Sequence, residues 1–175
     1  TPAVTARIER GLRPAHTDHP ASSMLRIRRP SSAPATVRRR RLDADLDRTH
    51  DSALTLVSAG PGFGKTMAVS SWVDQRRATH AFAWLTVDPG DNSAQTFWSD
   101  VLAAIRSSGA VPAGSALDDI SPATVFGARE VELMLGRFDA LDRPVVLILD
   151  DFHLVTGPDV LAAVAALVEH QPRRL

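Results

Sequence analysis

The segment 59–66 reads AGPGFGKT, and it gathers three glycines, a lysine and a threonine into one short turn. Gly60, Gly62 and Gly64 permit unusual dihedrals and close backbone approach, so successive N–H groups, those around Pro61 and Phe63 included, can point inward at an anion. A helix beginning near Lys65 would aim its positive end at the same place. The Lys65 ammonium suits the β- and γ-phosphates of a nucleoside triphosphate, and the Thr66 hydroxyl suits Mg²⁺. This is the Walker A pattern with one departure, Ala59 in place of the first glycine. A glycine-rich turn that binds nothing would be spelled the same way. Context therefore decides, and an apolar run (ALTLVS, 53–58) precedes the loop while a helical pattern follows it.

Asp150 and Asp151 follow the apolar run VVLIL (145–149). The carboxyl end of a parallel strand is where an α/β sheet presents ligand-facing residues. In a Walker B arrangement the first acid, Asp150, holds Mg²⁺ and the second, Asp151, orients the attacking water. Lys65 and Asp151 are thus the expected catalytic groups, with Thr66 and Asp150 on the metal. An isolated Asp-Asp after a strand would otherwise be read as a cap or turn. Asp is one methylene shorter than Glu, so slow hydrolysis is expected.

Other residues carry weaker signals. Asp88, Asp91 and Asn92 lie beyond the second strand, where turn formation and helix capping are favoured over ligand contact. His153 is read mainly as a structural hydrogen-bonding residue. Trp72, Trp84 and Trp98 fall on apolar faces and are expected in the core. Arg38, Arg39, Arg40 and Arg41 are divided between nucleotide contact and solvent.

The elements that must position these groups alternate. Strands are expected at 53–58, 81–87 and 145–149. Helices are expected at about 38–48, 65–75, 93–107, 125–141 and 158–170, with a loop at 108–122. Each rests on strand-type apolar runs or on helical spacing such as Phe97, Val101, Leu102 and Ile105. This order predicts an α/β fold with a parallel sheet and right-handed crossovers.

The chain has 175 residues and no net charge, but the charge is uneven. Residues 1–50 carry eleven Arg against five acids, and the remainder is correspondingly acidic. No aromatic interleaves with the Arg run, which favours a solvated leader over a nucleic-acid surface. Residues 1–36 read as a largely disordered leader and linker, and 37–175 as the folded domain. Of twenty Lys plus Arg, Lys65 is the sole lysine, a compact point charge placed where a phosphate cradle needs one. Without Cys there is no disulfide framework or thiolate metal site. No apolar run approaches the ~20 residues needed to cross a bilayer, so a cytoplasmic location and no membrane partner are expected.

Four blocks in order, LTLVSAGPGFGKT, AWLTVDPGDN with FWSDVLAAI, RPVVLILDDFHLV, and VLAAVAALVEHQP, resemble the N-terminal ATPase region of MalT-like, LuxR-family large transcriptional regulators of the STAND class. The resemblance runs over about 25–175. It implies a P-loop NTPase fold of the ASCE type, a three-layer sandwich truncated before its fourth strand. It also implies ATP and ADP as ligands with Mg²⁺, and a slow switch ATPase whose parent self-associates on activation. DNA would be bound only through a C-terminal domain lying outside this sequence. In such folds the fourth strand lies between the Walker A and Walker B strands. Its absence would leave a gap ~4.8 Å wider than normal neighbour spacing: either the two strands pair directly or the fragment is poorly stable. The resemblance also places the segment around Val37–Arg41 near the adenine. The competing expectation is a truncated, non-catalytic nucleotide-binding or interaction module. A small-molecule kinase is disfavoured, since no acceptor site or lid is recognisable.

Overall fold

The computed structural model describes residues 26–31, 39–117, 120 and 128–175. In chain order the helices are α1 (Arg40–Asp47), α2 (Lys65–Arg76), α3 (Ala94–Ser107), α4 (Ala128–Phe138) and α5 (Pro158–His170), and the strands are β1 (Ala81–Thr86) and β2 (Val145–Asp150). Arg38 and residues 1–25 lie outside the described residues, as does the start of the expected 125–141 helix.

β1 and β2 pair in parallel, in a register that sets Ala81 against Val145 and Thr86 against Asp150. Alternation along the strands divides the core into two faces. Ala81, Ala83, Leu85 and Val145 join Phe97, Trp98, Val101, Ile105, Phe138 and Val160 from α3, α4 and α5. Phe82, Trp84, Val146 and Ile148 face Trp72 and Val73 of α2 and Leu46 of α1. Helices therefore cover both faces of the sheet, and all three tryptophans are buried as expected. The Trp72 and Phe82 rings meet edge to face at 5.2 Å and 80°, an arrangement aromatic quadrupoles favour.

One expected strand does not form. Residues 54–60 carry no strand, and Leu54 and Leu56 are 63% and 83% exposed. The composition of ALTLVS suits a strand, but a strand needs a ladder partner, and this segment has none among the described residues. It does not pair directly with β2. β2 pairs with β1 alone among the described residues. Its first residue is buried, but residues 146–149 are only half-buried despite their apolar sequence.

The turn after β1 is held tightly. Asp91 is fully buried. It accepts from the Asp88 backbone N–H at 2.7 Å while Asp88 accepts from Gly90 at 2.8 Å, a reciprocal capping box. Arg26 donates to both Asp91 oxygens at 2.8 Å and to Asp100 of α3. Arg29 binds Asp74 of α2 in bidentate fashion and Ser70 besides. The segment 26–31 is thereby tied to the helices on both sides of β1. Asn92 accepts from the N–H groups of Thr156 and Gly157, fastening this turn to the start of α5. Asp88, Asp91 and Asn92 thus serve structure, as their turn-forming types suggest.

Candidate functional site

α2 begins at Lys65 because Gly64, at φ 73°, reverses the chain in the left-handed region where a side chain is strained. Gly62, at φ 78°, does the same two residues earlier. The helix has no side-chain cap at its N-terminus. Its first intrahelical bond runs from Ala68 N–H to Gly64 carbonyl at 2.9 Å. Among the described residues, the amides of Gly62, Gly64, Lys65, Thr66 and Met67 have no backbone acceptor. Orphan donors at a helix start, aligned with its dipole, form an anion-binding site.

Opposite these amides stands the end of β2. Thr66 Oγ1 donates to Asp150 Oδ1 at 3.0 Å, which brings the two proposed metal ligands into contact. The Asp150 carboxyl is pushed above its ordinary range, chiefly by burial, and the neighbouring Asp151 charge adds to that. The hydrogen bond from Thr66 and the Lys65 charge pull the other way. Asp151 sits at φ 55°, the left-handed conformation, and its N–H donates to Asp150 Oδ1 at 3.2 Å. The Asp151 carboxylate is about half exposed, and His153 Nδ1 lies 3.9 Å from its Oδ1. His153 is largely exposed and packs in no core.

Lys65 Nζ folds back onto its own loop, donating to the Ala59 carbonyl at 2.8 Å and the Gly60 carbonyl at 3.2 Å. Phe63 projects into solvent at 67% exposure. Gly60, Pro61, Gly62 and Phe63 thus form an exposed turn that leads into the half-buried Gly64, Lys65 and Thr66, and the Phe63 N–H is bonded to the Gly60 carbonyl at 3.4 Å. Thr66 and the Asp151 N–H both bond Asp150. Arg39, Arg40 and Arg41 are exposed at the start of α1.

The residues present fit a magnesium-bound polyphosphate. The donor set supplies N–H groups and an ammonium for phosphate oxygens, and a hydroxyl with a carboxylate for a hard cation. No cluster of three or more His, Cys, Asp or Glu able to hold a metal occurs among the described residues. A cation here would take its remaining ligands from phosphate and water.

Sequence types gave little sign of Arg26 and Arg29, which fall within an Arg-rich segment that reads as solvated. The usable signal was Asp100, an acid on the α3 face that Phe97, Val101 and Ala104 mark as internal.

The fold is α/β with a parallel sheet, compatible with a P-loop NTPase, and a glycine-loop helix start contacts its acidic strand end. No family model matches the chain. It is 31% identical over 156 residues, 86% of its length, to the HTH-type transcriptional regulator MalT of Cronobacter sakazakii (strain ATCC BAA-894). The chain is related to the MalT-like, LuxR-family regulators. It spans 16% of that regulator's length. No helix among the described residues is long and apolar enough to cross a membrane.

Proposed function

We propose that this chain is the ATP-binding switch region of a larger transcription regulator, a P-loop NTPase domain over 37–175 that takes Mg-ATP at the 59–66 loop. The observation that carries this reading is the set of amides at Gly62, Gly64, Lys65 and Thr66 without backbone acceptors, at the helix start whose Thr66 bonds Asp150. The amides and the α2 dipole hold phosphate oxygens. Lys65 leaves the Ala59 and Gly60 carbonyls and supplies its charge to the outer phosphates. Thr66 and Asp150 hold the cation, which neutralises charge on the phosphates when bound. Asp151 orients a water and draws its proton. Its short side chain makes turnover slow, a timer for switching between ATP and ADP states. A further strand between 53–58 and β2 would complete the sheet and fix the two halves of the site relative to each other. Self-association follows the ATP state, DNA is contacted by another part of the regulator, and the protein works in the cytoplasm.

A second reading, a non-catalytic nucleotide-binding or interaction module, is favoured by two observations. Lys65 is already bonded to its own loop, and Leu54 and Leu56 stand in solvent. Thermal unfolding with and without saturating Mg-ATP, followed by phosphate release, separates the outcomes. A ligand that binds only the folded state at 100 times its Kd stabilises by about 2.7 kcal/mol. A rise in Tm with slow phosphate release supports the switch. A rise without release supports the module. No rise at millimolar Mg-ATP rejects ATP binding.

A further inference from the structure

At the amino ends of the strands, opposite the phosphate loop, lies a groove of about 510 Å³. Its wall carries Arg28, Arg29, Arg77, Arg143 and His80, and no carboxylate lines it. Its apolar side is formed by Phe82, Trp84 and Val73. The volume falls within the range of small-molecule pockets, ~300–1,000 Å³.

The charge is only partly accounted for by the fold. Asp74, just outside the lining, accepts from Arg29 at 2.6 Å and from Arg77 at 2.7 Å. α2 and α3 both end here, and each C-terminus adds about half a negative charge. Arg77 follows α2 and complements that dipole. Arg28 and Arg143 belong to neither helix. Both are exposed and have no hydrogen-bond or ion-pair partner among the described residues. With four guanidinium groups set against one carboxylate and two helix ends, the groove keeps a surplus of roughly two positive charges.

A phosphomonoester carries about −1.5 to −2 at neutral pH. It therefore matches that surplus, whereas a monocarboxylate would leave half of it. The planar guanidinium fork is also suited to two parallel bonds with phosphate oxygens. Beside the charge lies the half-buried Phe82 ring, held in place by Trp72. We propose that this groove binds a small phosphomonoester with an aromatic or apolar body, its phosphate held by Arg28 and Arg143 and its body resting on Phe82. The site is separate from the triphosphate loop and stands whether or not that loop binds ATP.

Titration of the isotopically labelled chain with phenyl phosphate tests this, with inorganic phosphate and phenol as parallel probes. Phenyl phosphate should shift the amide signals of Phe82, Gly109 and Arg143 at lower concentration than either parallel probe. The Arg28→Ser/Arg143→Ser double variant should weaken its Kd at least tenfold with unchanged Tm, and Arg28→Lys/Arg143→Lys should restore part of the loss. Shifts confined to Gly62, Gly64 and Thr66 would overturn the proposal. So would equal affinity in the Ser variant, or inorganic phosphate binding as tightly as phenyl phosphate.

Discussion

Thr66 Oγ1 and Asp150 Oδ1 lie 3.0 Å apart, although 84 positions separate the two residues in the chain. The hydroxyl stands on the first turn of α2, and the carboxylate ends β2. Their bond ties the glycine loop to the sheet at the point where a cation would sit between them. Thr66→Val keeps the side chain's shape and removes its donor. It is expected to cost roughly 1–3 kcal/mol of stability, because the acceptor is a carboxylate. The proposed role adds a second consequence: nucleotide affinity should lose its Mg²⁺ dependence. Calorimetric titration of wild type and variant, each with Mg²⁺ and with a chelator, reads both. A variant that keeps the full Mg²⁺ dependence would remove Thr66 from the metal site.

Asp150 provides a pH test. Its carboxyl is held above the ordinary 3.8, chiefly by burial. The folded state therefore binds its proton more tightly than the unfolded chain does. The stability this gives is fully present below 3.8 and is lost as pH rises through the folded value. At neutral pH the ionised group is a cost that an amide does not carry. Asp150→Asn should therefore raise Tm at pH 7 without nucleotide, and its advantage over wild type should shrink as pH falls toward 3.8. The same variant should lose Mg-ATP binding. An Asn variant less stable than wild type at neutral pH would contradict the burial argument.

Gly64 separates backbone strain from packing. A Cβ built there meets nothing within 4 Å, yet φ is 73°. Gly64→Ala should thus destabilise by about 1–2 kcal/mol through conformation alone, read from urea unfolding. Because the same turn aims the amides, phosphate affinity should fall by more than stability does. A variant with wild-type stability and affinity would show that the left-handed turn is not required. Gly157 presents the opposite case. Its φ is ordinary at −67°, but a Cβ would stand 2.3 Å from the Asn92 carbonyl oxygen. Gly157→Ala should force the 89–92 turn away from α5 and lower Tm.

Leu56 and Leu85 should differ sharply. Leu85 is fully buried in β1, and Leu56 is 83% exposed. Leu85→Ala should cost about 2–5 kcal/mol, whereas Leu56→Ser should change stability by no more than about 0.5 kcal/mol. Equilibrium unfolding of both variants checks this. A cost of several kcal/mol at Leu56 would show that the 53–58 segment is packed in solution.

Much of this arrangement is legible in residue types. VVLIL followed by two acids marks β2 and its ligand-facing end. The helix spacing of Phe97, Val101, Leu102 and Ile105 marks the face of α3 that meets the sheet. Both follow from local pattern and burial, which one segment can display alone. The state of 53–58 is different in kind. ALTLVS has strand composition, but a ladder is made by two segments, and nothing within six residues tells whether the second is present. The same limit hid Arg26, whose role is set by Asp91 and Asp100, 65 and 74 positions away. Lys65 was readable as the single ammonium in the glycine loop. Its fold onto the Ala59 and Gly60 carbonyls was not, because a flexible four-carbon stem takes the acceptors that geometry offers.

Isothermal titration of Mg-ATP into the wild-type chain and into Lys65→Ala addresses the phosphate-loop assignment most directly. Lys65 is half-buried, but it bonds only carbonyls of its own loop and belongs to neither core cluster, so the variant should fold with an unchanged Tm. Saturable Mg-ATP binding in the wild type, weakened at least a hundredfold in the variant, is the result expected. Equal affinity in the two proteins would contradict the account.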